Sequence, residues 1–155
     1  MPKYEYLTHE QMNNYYSEVV RQMAKDNVAP EVIIAPMRGG ADLGIKLSNY
    51  YEVPFVPIVW QTRDGEEKDI QSLVAVLDKY WGFTILLVDD ICDSGKTLSE
   101  MLEVVIAQDY TDFYTAVAIE NIESKVNINY SGREISRSID DQWFVFPWED
   151  WWKRK

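Results

Sequence analysis

Along the first 119 residues, apolar positions switch repeatedly between a helical spacing and short unbroken runs, and this alternation predicts the elements. Thr8 and Gln11 have the spacing of a capping box, and Met12, Tyr15, Tyr16, Val19, Val20 and Met23 follow at helical intervals. A first helix is expected from about His9 to Lys25. Val32-Ile33-Ile34-Ala35 reads as a buried strand ending at Pro36, and Met37-Arg38-Gly39-Gly40 then leads into a helix to about Tyr51. Pro54 to Trp60 is the next expected strand. Gln61 to Asp69 is polar and charged with Gly65 inside it, the composition of a long mobile loop. Ile70, Leu73, Val74, Leu77 and Trp81 return to helical spacing, with Gly82 placed as a C′ residue. Ile85 to Val88 forms a strand, Leu98, Met101, Leu102, Val105 and Ile106 mark one face of a helix, and Phe113 to Ile119 forms another strand. From Glu120 onward the alternation breaks into polar turns and aromatics, densest at Trp143-Phe144-Val145-Phe146-Pro147-Trp148.

Strands alternating with helices predict an α/β fold, a Rossmann-like parallel sheet flanked by helices with right-handed crossovers. Ligands of such sheets bind beyond the carboxyl ends of the strands. The loop after Val88 is therefore the first place to look for chemistry. There Asp89, Asp90 and Asp93 follow a buried run, and Ser94-Gly95-Lys96-Thr97 opens the next helix. Vicinal carboxylates accept hydrogen bonds from the two hydroxyls of a ribose, or approach a hard cation such as magnesium through oxygen ligands. A small-residue turn at a helix start presents backbone N–H groups and the hydroxyls of Ser94 and Thr97 to a phosphate.

Other readings of these residues fit less well. A P-loop requires Gly where Asp90 stands, and an Asp-x-Asp phosphatase motif requires Asp where Cys92 stands. A strand capped by a solvated acidic turn accounts for the carboxylates but not for the Ser-Gly-Lys-Thr that follows at once.

With 155 residues, of which 46% are apolar, the chain is expected to form a single domain, residues 1–155. No apolar run approaches the roughly eighteen residues that span a bilayer, so no membrane association is expected and a cytoplasmic location is. A net charge of −11 argues against nucleic acid as a partner. Within so acidic a chain, Arg38, Lys46, Arg63, Lys68 and Lys96 are the cations expected at or near loops, Lys46 as an ordinary solvated one. Cys92 is the only cysteine and His9 the only histidine, so neither a disulfide nor a Cys-His nucleophile is expected.

The segment Ile85 to Thr97, an apolar run, two acids, two variable residues and Asp-Ser-Gly-Lys-Thr, resembles the phosphoribosyl-pyrophosphate (PRPP) motif of the type I phosphoribosyltransferases. The resemblance implies that fold, with a core at about 28–120. Residues of about 121–155, with the N-terminal segment, would form a small aromatic-rich hood. It implies PRPP binding by Asp89, Asp90, Asp93, Ser94, Gly95, Lys96 and Thr97, with Mg2+ as cofactor and Asp89 among its contacts. Arg38, Gly39 and Gly40 would hold pyrophosphate in a loop that often carries a cis peptide, and the loop of residues 61–69 would be a catalytic lid to which Arg63 and Lys68 contribute.

Asp141 to Glu149 resembles the base-binding hood of the bacterial xanthine-guanine branch. By that likeness Trp143 stacks on a purine, Phe144 contacts it through its backbone, Glu149 lies near the purine 2-position or a second magnesium, and Ile91 packs on the other purine face. One departure concerns the acceptor. The 6-oxopurine enzymes place a Lys at the end of the strand after the motif helix, whereas this chain has Ala118-Ile119-Glu120-Asn121, leaving Lys125 or Asn121 as substitutes. The expected activity is transfer of phosphoribose from Mg-PRPP to a purine of the hypoxanthine, guanine or xanthine type, with Asp93 as the catalytic proton acceptor, in a homodimer or homotetramer. The alternatives are a PRPP- or nucleotide-binding regulatory protein on the same fold, or a transferase for another nucleobase.

Overall fold

The computed structural model describes residues 3–60 and 68–154. Five parallel strands form the central sheet in the order β3 (Phe55–Val59), β2 (Val32–Met37), β4 (Ile85–Cys92), β5 (Phe113–Asn121) and β6 (Tyr130–Ile135). Successive strand side chains point to opposite faces, so each central strand feeds two cores. Ile33, Ala35, Leu86 and Val88 pack against α1 (His9–Lys25) and α2 (Ala41–Tyr51). Val32, Ile34, Ile85 and Leu87 pack against α3 (Ile70–Lys79) and α4 (Lys96–Ala107) on the other face. Burial on both sides explains why these strands read as unbroken apolar runs.

α1 begins where its capping box places it. The Gln11 N–H donates to Thr8 Oγ1 at 3.1 Å and the Thr8 N–H donates to Gln11 Oε1 at 2.9 Å. Several details differ from expectation, among them β2, which continues through Pro36 to Met37, and β5, which continues to Asn121. β4 does not stop at Val88 but runs through the acids to Cys92, because β5 continues to pair with it there. α3 ends at Lys79 with Tyr80 as its C-cap, so Gly82, at φ 88°, lies one residue beyond the C′ position. Ile106 is 60% exposed and leaves the buried face of α4 to Leu98, Met101 and Val105.

β6 extends the sheet beyond the point where the alternation ends in the sequence. Its residues Tyr130-Ser131-Gly132-Arg133-Glu134-Ile135 carry little apolar pattern because Gly132 lies directly under α1. A Cβ there would sit 2.4 Å from Tyr15 Cβ and 2.6 Å from the Tyr15 backbone. The terminal segments form a separate two-stranded parallel sheet, β1 (Tyr4–Tyr6) with β7 (Trp143–Val145), and a short 3-10 turn follows at Trp151–Lys153. Arg154 ties this turn back, donating to the carbonyls of Leu7, Val145 and Phe146. Among the described residues no helix is long and apolar enough to cross a membrane.

Candidate active site

A cavity of about 450 Å³ opens at the carboxyl ends of β2 and β4, between the turn after each strand and the segment containing β7. β4 carries two carboxylates into its floor. Asp89 Oδ1 accepts from the Asp90 N–H at 2.9 Å, and Asp90 Oδ1 accepts from the Ile91 N–H at 2.6 Å. Among the described residues neither acid is paired with a Lys or Arg. Burial, with the adjacent Asp90 charge second, raises the Asp89 carboxyl well above the ordinary range. Burial also pushes Asp90 up to about 6, against the hydrogen bonds that it accepts and with a contribution from the Glu149 charge. Two unneutralised acids held together invite a cation or a pair of hydroxyl donors.

Gly39 faces this pair across the cavity. A Cβ at Gly39 would sit 2.9 Å from both Asp90 carboxylate oxygens and 3.0 Å from Asp89 Oδ1, so only glycine lets the two turns approach this closely. The peptide bond before Arg38 is cis, as the resemblance leads one to expect. Arg38 and Gly39 line the cavity; Gly40 does not. Gly40 instead caps α2 against the sheet, where a Cβ would meet Ala35 Cβ and the Val88 carbonyl at 2.8 Å. At the other turn, Gly95 is the N-cap of α4 with φ 87°, a left-handed conformation that favours glycine, and the Ser94 hydroxyl accepts from the Lys96 N–H at 3.2 Å. Ser94, Gly95, Lys96 and Thr97 line the cavity around that helix start, and the first turn of α4 contains no acid to oppose an anion.

Asp93 has a partner that the sequence does not announce. Arg137, in the turn after β6, donates from Nε to Asp93 Oδ1 at 2.9 Å and from Nη2 to Asp93 Oδ2 at 3.0 Å. Its Nη1 donates to the carbonyls of Asp140 and Gln142 at 3.2 and 2.5 Å. Neither substitute considered for the absent lysine lines the cavity. Asn121 is buried and spends its side chain on backbone, donating to the Asp93 carbonyl and accepting from the N–H groups of Glu123 and Arg137. The Lys125 stem packs behind Gly95. The cation beside Asp93 is Arg137, which also lines the cavity.

The model of the phosphoribosyl transferase domain family matches residues 5–150. The chain belongs to this family. No curated protein sequence matches it significantly. Solved structures similar to it include a purine phosphoribosyltransferase from Pyrococcus horikoshii, 24% identical over 95% of each chain with a TM-score of 0.72. The xanthine-guanine-hypoxanthine phosphoribosyltransferase of Helicobacter pylori is 21% identical over 99% of this chain and 97% of its own, with a TM-score of 0.73. A Neisseria gonorrhoeae protein described as hypothetical, with bound ppGpp, is 22% identical over 96% of this chain and 90% of its own, with a TM-score of 0.76. At these identities the likenesses show the fold, and the family match places the chain among the pentosyltransferase enzymes.

In this phosphoribosyltransferase, β7 and the turn after it roof the cavity. Trp143, 55% exposed, lines its mouth, and Ile91 lines it from the β4 side. The Phe144 ring is buried, with the Arg133 guanidinium 5.1 Å and the Arg137 guanidinium 5.3 Å from its centroid. Arg133 is in turn held by Glu5 of β1, at 2.6 Å. The roof and Asp93 are thus joined through one aromatic ring and two guanidiniums. Glu149 lines the cavity, and its Oε1 accepts from the Phe146 N–H at 3.0 Å. Lys68 pairs with Glu100 on α4 and Lys46 with Asp42 on α2, and neither lines the cavity. Residues 61–67, including Arg63 and most of the expected lid, lie outside the described residues.

Proposed function

We propose that this phosphoribosyltransferase moves the 5-phosphoribosyl group of Mg-PRPP onto a ring nitrogen of a purine, giving a nucleoside 5′-monophosphate and pyrophosphate. The observation that carries this reading is the meeting, in one cavity, of the Asp89–Asp90 pair, the glycine-opened start of α4, the Arg38–Gly39 turn, Asp93 and Trp143. The 5′-phosphate is received by the Ser94–Thr97 turn and the ribose hydroxyls by Asp89 and Asp90. Arg38 offers a forked cation to the departing pyrophosphate. Trp143 and Ile91 sandwich the base, and Asp93 takes the proton that the purine ring loses as it attacks.

The donor set suits magnesium. The buried Asp89 and the part-buried Asp90, paired with no Lys or Arg among the described residues, fit an ion that takes one or two protein carboxylates and completes its shell with phosphate oxygens and water, as Mg2+ does. Asp89 would hold it, and Glu149, whose charge reaches Asp90, would serve a second ion. When bound, the ion supplies charge neutralisation for the leaving group.

The test is a panel of common nucleobases with Mg-PRPP, read by nucleotide formation and pyrophosphate release. Release that depends on a purine supports the proposal; PRPP binding without turnover on any base overturns it. A second reading, regulatory nucleotide binding at the same cavity, is favoured by the ppGpp bound to the Neisseria neighbour. Calorimetry with ppGpp, with and without PRPP as competitor, tests it. A cytoplasmic homodimer or homotetramer is part of the same proposal, supported by the exposed Trp151 and Trp152, and sedimentation velocity reads the assembly state.

A further inference from the structure

Asp93 is held by a chain of contacts that ends on the first strand. Arg137 grips both Asp93 oxygens through Nε and Nη2, and its Nη1 is fixed in turn by the main-chain carbonyl of Gln142 at 2.5 Å. The Gln142 side chain reaches the other way, its Nε2 donating to Glu5 Oε1 at 3.3 Å. Glu5 also receives Arg133 in a fork, Nη1 to Oε2 at 2.6 Å and Nη2 to Oε1 at 3.3 Å. That fork sets the Arg133 guanidinium against the Phe144 ring on which Arg137 also lies. One carboxylate of β1 therefore meets both supports of the Arg137 guanidinium, the residue whose carbonyl holds it and the cation that shares its ring.

The charges in this cluster balance, Arg133 with Glu5 and Arg137 with Asp93. The Arg133 hydrogen bond holds the Glu5 carboxyl below its usual range, so Glu5 carries its charge at neutral pH. With Glu5 neutral, Arg133 would keep the Tyr15 hydroxyl as a partner but lose its counter-charge, next to a second guanidinium on the same ring. A part-buried cation left unpaired is costly, and the structure relieves it by moving a guanidinium off Phe144. Glu5 does not line the cavity, so any effect it has on the reaction passes through these contacts. We propose that Glu5 is a positioning residue for proton transfer, acting through Gln142 and Arg133 to hold the Arg137 guanidinium, and with it the Asp93 carboxylate, in one orientation. The use of Asp93 as proton acceptor rests on the function proposed above; the linkage from Glu5 to Arg137 does not.

Two measurements separate the two claims. Glu5→Gln keeps the side-chain shape, removes the charge and leaves the backbone ladder of β1 with β7 in place. The first measurement is hydrogen exchange of the Arg137 Nε–H by side-chain NMR, the resonance being assigned by its loss in Arg137→Lys. This proton is given to Asp93, and its exchange is expected to quicken at least tenfold in Glu5→Gln. Gln142→Ala, which cuts one support and spares the Glu5–Arg133 fork, is expected to quicken it as well and serves if Glu5→Gln does not fold. The second measurement is steady-state transfer to hypoxanthine. In Glu5→Gln, kcat is expected to fall by about tenfold to a hundredfold, the cost of a small misplacement of a reacting group, with KM for PRPP within about threefold of wild type. In an Arg137→Lys background the same substitution should cost less than about threefold more, because the two residues act as one unit. A general loosening of the fold would instead add its full factor in both backgrounds. Unchanged Arg137 exchange in both variants, or a kcat loss of equal size with and without Arg137, overturns the assignment of Glu5 even if transfer is robust. Quickened exchange in a protein that transfers phosphoribose to no base upholds the hold of Glu5 on Arg137 and overturns the proposed function.

Discussion

Replacing Asp90 with Asn separates what the acidic pair does for the fold from what it does for the substrate. Asp90 is raised to about 6, chiefly by burial, so above that pH the folded protein holds a charge that the unfolded chain carries at less cost. The folded state binds the extra proton, and stability therefore falls as pH rises from the ordinary aspartate range through about 6. Against an unfolded value near 3.9, the destabilisation at pH 7.5 is on the order of 1–3 kcal/mol. Asn keeps an oxygen that can accept the Ile91 N–H, the bond now made by Asp90 Oδ1 at 2.6 Å, and it removes a like charge from Asp89. Asp90→Asn is thus expected to stabilise the free protein by about 1–3 kcal/mol at pH 7.5, the lower figure allowing for imperfect amide geometry. In a chain of this size that is a rise in Tm of roughly 3–10 °C. The gain should fall to about half at pH 5 and be mostly gone by pH 4. Urea unfolding at the three pH values reads it, and PRPP binding should weaken at least tenfold in the same variant. Equal or lower stability at pH 7.5, or a gain that does not change with pH, would refute the claim that the site stores unneutralised charge for its ligand.

Asp93→Asn should retain PRPP affinity within a few-fold while kcat falls by about 10²–10⁴, the usual contribution of a positioned general base; unchanged turnover in single-turnover assays would remove Asp93 from proton transfer. Gly39→Ala inserts a Cβ 2.9 Å from both Asp90 oxygens, and PRPP affinity measured by calorimetry should drop by an order of magnitude or more because the two turns are pushed apart. Gly132→Ala forces β6 away from Tyr15 and should cost about 1–3 kcal/mol or more in chemical denaturation, with little change in PRPP affinity because Gly132 is not in the cavity wall.

The sequence is most readable where cause and consequence lie within a few residues of each other. α1 is fixed by a cap and by an apolar stripe three and four residues apart, so its ends coincide with expectation. The phosphate-turn residues are contiguous, and their chemistry is evident before any fold is known. β6 escapes such reading because its place is set by contact with Tyr15, more than a hundred positions away, which demands Gly132 where a strand pattern would show an apolar residue. Pattern reasoning sees only the lost periodicity, not the reason for it.

The same distinction divides the site into a donor half and an acceptor half. Asp89 to Thr97 come from one strand–turn–helix unit, whose local geometry already faces the cavity. The acceptor half is assembled from the end of β4, the turn after β6 and the β7 segment, and Arg137 reaches Asp93 across 44 positions. Looking for a cation near Glu120 or Lys125 assumes that the role stays with one strand end. A donor to Asp93 can come from any segment that the topology brings beside it, and here Arg137 donates to both carboxylate oxygens. The one available signal was an arginine in a polar turn of a chain with a net charge of −11, which by composition alone is an ordinary solvated residue. It becomes a site residue only because β6 joins the sheet beside β5 and delivers the turn that follows it to the Asp93 carboxylate. A chain that kept Asp89 to Thr97 but changed the turn after β6 would therefore keep the cavity floor and lose the guanidinium that holds Asp93.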